Sequence, residues 1–144
     1  MIEKDTIRLL RECDAGIKMG ISSIDDVMDF VSAEMFRMCL KKCKTDHEKL
    51  QDRINALLRR FEDEGKEPNP ISKGMSWIKT NLSLAMDNSD QTVADLMTEG
   101  CNMGVKSLSK YLNQYRAASE EAKGLCCELI TLEENLAKDI RCYL

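Results

Sequence analysis

The sequence predicts an all-helical fold, a bundle of four long helices with a shorter helix in the connection between the second and third long ones. The 144 residues include only two prolines and seven glycines against many leucines, methionines, lysines and glutamates, a composition typical of helices. Apolar residues also recur at steps of three and four, as they do along one helix face. The length fits a single domain, residues 1–144.

The second helix, predicted over about residues 33–62, carries the clearest apolar stripe and the only histidine. The stripe consists of Phe36, Leu40, Cys43, His47, Leu50, Ile54, Leu57 and Phe61. His47 stands where a leucine is expected. Because a polar side chain on a core-facing stripe needs a partner, His47 is the first candidate for a functional residue.

The first helix, predicted over about residues 5–31, has a similar stripe with one polar break, Asp14. The stripe consists of Ile7, Leu10, Asp14, Ile17, Ile21, Ile24, Met28 and Val31. Asp5 and Ser32 are predicted to cap the first and second helices by accepting backbone hydrogen bonds. The connection between these helices is short, so they should form an antiparallel hairpin.

Three further helices are predicted over about residues 70–86, 90–117 and 119–143. Asn69 followed by Pro70 is a favourable start for the short one, and Ser119 is a favourable start for the last. Their stripes are Ile71, Met75, Ile78, Leu82 and Ala85, then Ala94, Met97, Cys101, Gly104, Leu108, Tyr111 and Tyr115, then Leu125, Leu129, Leu132, Leu136, Ile140 and Tyr143.

The connection between the second and third long helices decides the topology. Residues 64–89 are too many for a tight turn, and a helix of about 15 residues spans about 22 Å. The sequence therefore predicts two hairpins joined by a long crossover, the ferritin-like arrangement, rather than a simple up-down-up-down bundle.

Four polar residues are predicted to lie near the middle of the bundle. The first hairpin places Asp14 within about 4.5 Å of His47 along the bundle axis, so these side chains should touch. The second hairpin places Cys101 opposite Glu133 or Leu136. Bundles of the di-metal carboxylate type build their site at this depth, with oxygen and nitrogen ligands that suit iron or manganese.

The chain resembles the ferritin-like superfamily and, within it, an uncharacterised bacterial family. The likeness rests on Asp14-Ala15-Gly16-Ile17, a proline-containing loop, the tryptophan-bearing segment GMSWIKTNLSLAM, the long helix after it and a tyrosine-bearing final turn. It covers nearly the whole chain. The resemblance implies a four-helix bundle and raises the question of a di-metal site.

The di-metal ligand pattern of that superfamily does not carry over. A Glu-x-x-His pair on the second helix would need glutamate at position 44, which is Lys44, and Glu133 is followed by Leu136 in place of histidine. Cys101 stands where the third long helix would hold a glutamate. A lysine among the ligands would repel a dication, so the sequence predicts no intact di-iron centre and no bound cofactor.

Two interpretations of His47 remain. In the first, Asp14 or a backbone carbonyl satisfies His47, and the buried pair fixes helix register without chemistry. In the second, Cys43 and His47 bind one zinc or iron ion together with Asp14 or Cys101. The candidate metal ligands are Asp14, Cys43, His47, Cys101 and Glu133. We favour a non-enzymatic interaction or stress-associated protein with a degenerate di-metal site, and keep the single-ion metalloprotein as the alternative.

The composition argues against other classes of protein. A net charge of −4 and a pI near 5.1 do not suit a general nucleic-acid binder. No apolar run approaches the roughly 20 residues of a membrane span, and the N-terminus lacks the apolar region of a signal peptide, so we expect a cytoplasmic protein. Seven cysteines without CxxC spacing fit reduced thiols.

Two further features bear on partners. Leu9, Phe30, Met38, Leu58, Val105 and Leu112 lie outside the main stripes, which predicts a second buried face and hence a homodimer. Gly16 and Gly20, like Gly100 and Gly104, are spaced four residues apart. They allow close helix packing or, as the less favoured alternative, leave room for a small ligand.

Overall fold

The computed structural model describes residues 2–66, 77–85 and 87–144, and over these residues it is all-helical without a strand. The helices are α1 (Ile2–Met28), α2 (Glu34–Arg60), α3 (Trp77–Leu84), α4 (Asp90–Gln114) and α5 (Glu120–Asp139), followed by a 3-10 turn (Arg141–Tyr143). The predicted all-helical class is confirmed. The predicted start of the short helix at Asn69 and Pro70, with Ile71 and Met75, lies outside the described residues.

Hydrogen bonds at the two ends of the bundle define the helix directions. At one end, the Asp90 carboxylate at the start of α4 accepts a bond of 2.7 Å from the backbone N–H of Ser32, between α1 and α2. At the other end, the Asp5 carboxylate accepts a bond of 3.0 Å from the N–H of Ala117, between α4 and α5. Therefore α1 and α5 run in one direction, α2 and α4 run in the other, and the chain crosses the length of the bundle between α2 and α4.

The short helix α3 packs against α1 and α4, two helices that also contact each other. α1 packs against α2, α4 packs against α5, and α5 also contacts α1 and α2. α3 contacts both α1 and α4, and its buried residues Ile78 and Leu82 join the apolar core at the end of the bundle where α2 begins. A second apolar core, which includes Leu10, Ile54 and Leu125, fills the opposite end.

The apolar stripe of α2 is buried as predicted, with His47 among the buried residues and only Phe61 partly exposed. Leu9 and Leu58, predicted to belong to a second face, are buried within the chain itself, whereas Phe30 and Met38 are exposed. None of the described helices combines the length and apolar character of a membrane span.

Two of the predicted helix caps are wrong. α1 already begins at Ile2, so Asp5 lies within its first turns. The N-cap of α2 is Ala33, which makes no side-chain bond. The N–H groups of Ser32 and Ala33 instead donate to Asp90, at 2.7 and 2.9 Å. Ser119 does cap α5, accepting a bond from the N–H of Ala122.

Candidate functional site

His47 lies at the centre of the bundle on α2 and is 1% exposed. Its Nδ1 lies 2.8 Å from the backbone oxygen of Cys43 and 3.5 Å from the Cys43 thiol. Its Nε2 lies 3.0 Å from Oε1 of Glu133 on α5. Because both ring nitrogens face acceptors, the arrangement suits a doubly protonated ring that donates a hydrogen bond at each nitrogen.

The surroundings of His47 favour its charged form. Burial opposes the charge, but hydrogen bonds and charge interactions with Cys43 and Glu133 outweigh burial and raise the pKa of His47 from 6.5 to about 10. The Glu133 side chain is only 13% exposed. At neutral pH the two side chains therefore form a buried imidazolium–carboxylate ion pair that joins α2 to α5.

Cys101 on α4 lies against the same ion pair. Burial, followed by the negative charge of Glu133 and a hydrogen bond to its carboxylate, raises the pKa of the Cys101 thiol well above its usual range. The predicted proximity of Cys101 and Glu133 is confirmed. The structure thus brings together four of the five candidate ligands, Cys43, His47, Cys101 and Glu133, which we call the polar cluster.

Asp14 does not join the polar cluster, and its predicted contact with His47 is wrong. Asp14 is fully buried, and its Oδ2 accepts a hydrogen bond of 3.0 Å from the N–H of Lys66 and pairs with Lys18 at 2.9 Å. Its Oδ1 has no hydrogen-bond partner in the described part of the chain. The reason is tertiary: the segment after α2 folds back onto α1 and supplies Lys66.

Glycines on α1 and α4 leave the space that the ion pair occupies. A Cβ placed at Gly20 would lie 3.0 Å from Nε2 of His47, and one at Gly104 would lie 3.4 Å from Oε2 of Glu133. At Gly20 the neighbouring ring would have to move, because interiors are closely packed, whereas the contact at Gly104 is an ordinary one. Gly20 is therefore explained by the ion pair itself.

A cavity of about 480 Å³ lies between α1 and α4 beside the ion pair. His47, Cys101 and Glu133 line it, together with the four glycines 16, 20, 100 and 104. The rest of the lining includes Glu12, Met19, Lys66, Trp77, Met97, Met103 and Tyr111. The sequence analysis did not assign these last residues to a site, although the paired glycines had indicated room for a small ligand as the less favoured alternative.

The donor set does not fit a di-metal centre. Such centres use a carboxylate from each of two helices and Glu-x-x-His from each of the others, whereas Glu133 is the single carboxylate of the polar cluster. Among the residues that the structure describes, no group of three or more histidine, cysteine, aspartate or glutamate side chains is placed to hold a metal ion.

Lys44 is not the obstacle to metal binding that the sequence suggested. Its ammonium pairs with Asp25 at the surface, at 2.7 Å, and so points away from the polar cluster. The features that oppose a di-metal centre are instead the single carboxylate of the polar cluster and the hydrogen-bond partners at both ring nitrogens of His47.

Comparison of the chain with known protein families, curated proteins and solved structures finds no match.

Proposed function

We propose that this protein is a ferritin-like helical bundle with a non-enzymatic interaction or stress-associated role, in which an ion pair replaces the di-metal centre. The observation that carries the proposal is the His47–Glu133 pair, because both nitrogens of His47 already face protein acceptors within hydrogen-bond distance. The opposed directions of α1 and α2, and the long crossover before α4, support the ferritin-like arrangement. Under this proposal the protein lacks the set of ligands that metal-based oxidase chemistry or metal storage would require.

Metal analysis of the protein purified without a histidine tag tests the proposal. After incubation with zinc or ferrous iron and dialysis, we expect less than about a tenth of an equivalent of bound metal, because a metal must displace a proton and a hydrogen bond at His47. A stoichiometric ion that is retained by the parent protein and lost in His47→Ala would refute it. Lys44→Ala, at the surface, is the control and should not change the metal content.

The alternative function is that of a metalloprotein with a single zinc or iron ion at the polar cluster. It rests on the proximity of Cys43, His47, Cys101 and Glu133, since thiolate, imidazole and carboxylate are all zinc ligands. Binding would require deprotonation of Cys101 and His47, and the raised pKa of each opposes this. Metal lost from both Cys101→Ser and His47→Ala would establish this alternative.

The proposal includes self-association and a cytoplasmic location. Phe30, Met35 and Met38 are 41%, 68% and 54% exposed, and Met35 and Met38 are three residues apart on one helix face. Covering these side chains with a second copy would remove apolar surface from water. All seven cysteines are free thiols, which supports a reducing compartment.

A further inference from the structure

The cavity between α1 and α4 has the dimensions and the lining of a small-molecule site. Its volume of about 480 Å³ falls within the roughly 300–1,000 Å³ of typical ligand pockets, which are mainly apolar with a few placed polar groups. We propose that it binds one uncharged, mainly apolar molecule that carries a hydrogen-bond donor, such as a phenol. This inference rests on the proposed non-enzymatic role and names the class of ligand.

Two of the glycines in the lining are explained by the cavity and not by packing. A Cβ at Gly16 would make ordinary contacts at 3.7 Å and 3.9 Å with Leu129 and Leu108, and one at Gly100 would meet nothing within 4 Å. Neither residue has a positive φ, yet glycine inside a helix costs about 1 kcal/mol relative to alanine. Both glycines line the cavity, and the effect that they share is to leave free the space that a side chain would fill.

Among the lining residues that the structure describes, the charged groups neutralise one another. His47 pairs with Glu133, and Lys66 pairs with Glu12. A ligand with a net charge would therefore bring an unpartnered charge into a space whose own charges are already matched, and burying such a charge is costly. An uncharged ligand avoids this cost.

The other lining residues indicate two properties of the ligand, an apolar aromatic part and a group that donates a hydrogen bond. Met19, Met97 and Met103 lie around the cavity with Trp77, and methionine sulfur makes favourable contacts with aromatic rings. Glu133 accepts bonds from His47, through Oε1, and from the Cys101 thiol, and a carboxylate can accept more hydrogen bonds than these two. A phenol fits both observations, because its ring would contact the methionines and its hydroxyl would donate to Glu133.

Calorimetric titration with three biphenyls of matched shape tests the ligand class. We expect 4-phenylphenol to bind one equivalent at least about tenfold more tightly than biphenyl-4-carboxylate, which is charged, and 4-methoxybiphenyl, which lacks the donor, a difference of about 1.4 kcal/mol. Trp77, the only tryptophan of the chain, lines the cavity, and its fluorescence should change on binding.

Paired glycine variants test the location. Gly100→Leu should weaken the binding of 4-phenylphenol at least about tenfold by filling the cavity. Gly124→Leu is the control, because Gly124 is an exposed helical glycine whose added Cβ also meets nothing within 4 Å, and it should stay within about twofold. Should Gly100→Leu not fold, Gly100→Ala takes its place, with a smaller loss than the leucine variant but the same contrast to Gly124→Ala.

Three outcomes would overturn the ligand proposal: no binding of 4-phenylphenol, equal or tighter binding of the carboxylate, or equal losses in the variants at positions 100 and 124. These outcomes are independent of the metal measurement. Stoichiometric metal would overturn the proposed function whether or not the phenol binds, and an empty cavity in a metal-free protein would overturn only the ligand class.

Discussion

At the scale of single residues, the protonation of His47 follows from its two hydrogen bonds. The Cys43 carbonyl and the Glu133 carboxylate both accept, so each ring nitrogen keeps its proton. The resulting ion pair lies in the core, where a charge that loses its partner is destabilising. The cost of removing one partner therefore differs from the net contribution of the pair to stability.

Single and double replacements separate these two contributions. We expect His47→Leu or Glu133→Leu alone to lower the free energy of unfolding by about 3 kcal/mol or more, since each strands a buried charge, whereas the double variant should be near neutral. Urea unfolding measures all three. The control is the pair formed by Arg53 and Glu128, whose side chains are 56% and 51% exposed, where removal of one partner should cost at most about 1 kcal/mol.

The raised pKa of His47 also predicts how stability depends on pH. A histidine whose folded pKa, about 10, exceeds its ordinary value of 6.5 stabilises the fold fully below pH 6.5 and loses that contribution as the pH rises from 6.5 towards 10. The unfolding free energy of the parent protein should therefore fall over this window, whereas that of the double variant, His47→Leu with Glu133→Leu, should not show this fall.

Nuclear magnetic resonance measures the protonation state of His47 directly, because the chain has a single histidine. In the folded protein both ring N–H groups should be present at pH 8, with no titration midpoint near 6.5. The urea-unfolded protein is the control and should titrate near the ordinary value, about 6.5. A midpoint near 6.5 in the folded state would mean that the pair is not charged as described.

At the scale of elements, the turn after α2 is shaped by contacts with α1. Gly65 has a φ of +85°, and an added Cβ would collide with Oδ2 of Asp14. The same turn presents the N–H of Lys66 to that carboxylate at 3.0 Å. Asp14, which the sequence placed beside His47, thus serves to anchor the start of the crossover.

A comparison of two glycines tests this account of the turn. Gly65→Ala should lower the free energy of unfolding by about 1–3 kcal/mol, because it combines an unfavourable positive φ with a steric conflict at a buried carboxylate. Gly124→Ala, at an exposed helical position where a Cβ meets nothing, should raise it by about 0.5–1 kcal/mol. Equal effects of the two substitutions, measured by urea unfolding, would contradict the role given to Asp14.

At the scale of the whole molecule, apolar surface remains where α2 begins. Leu9 and Leu58, two of the residues from which the sequence predicted a dimer face, are buried within the chain, whereas Phe30 and Met38 stay exposed. The proposed homodimer therefore depends on a smaller patch than the sequence indicated, formed by Phe30, Met35 and Met38.

Sedimentation velocity tests the homodimer. We expect the parent protein to sediment as a dimer and the Met35→Glu, Met38→Glu double variant as a monomer, because buried carboxylates in a dimer interface would lose their hydration. Leu84→Glu is the control, since Leu84 is 79% exposed on α3, which packs against α1 and α4, whereas Met35 and Met38 lie on α2, and it should leave the dimer intact. A monomeric parent protein would refute the dimer.

The sequence by itself determined the helical class, the positions of the long helices within a few residues and the buried stripe of α2 around His47. These follow from local periodicity, which depends only on the spacing of apolar side chains along one helix. It also placed Cys101 opposite Glu133 or Leu136, because a short connection between two helices fixes which residues lie at the same depth in the bundle.

Only the tertiary structure decided the partners of the polar residues. Depth along the bundle put Asp14 within reach of His47, but the rotation and crossing of the helices turned His47 towards Glu133 and left Asp14 to Lys66. The cap of α2 by Asp90 and the cavity between α1 and α4 have the same origin. Each depends on groups from segments that are far apart in the sequence. The periodicity of a single helix does not indicate which of these groups meet.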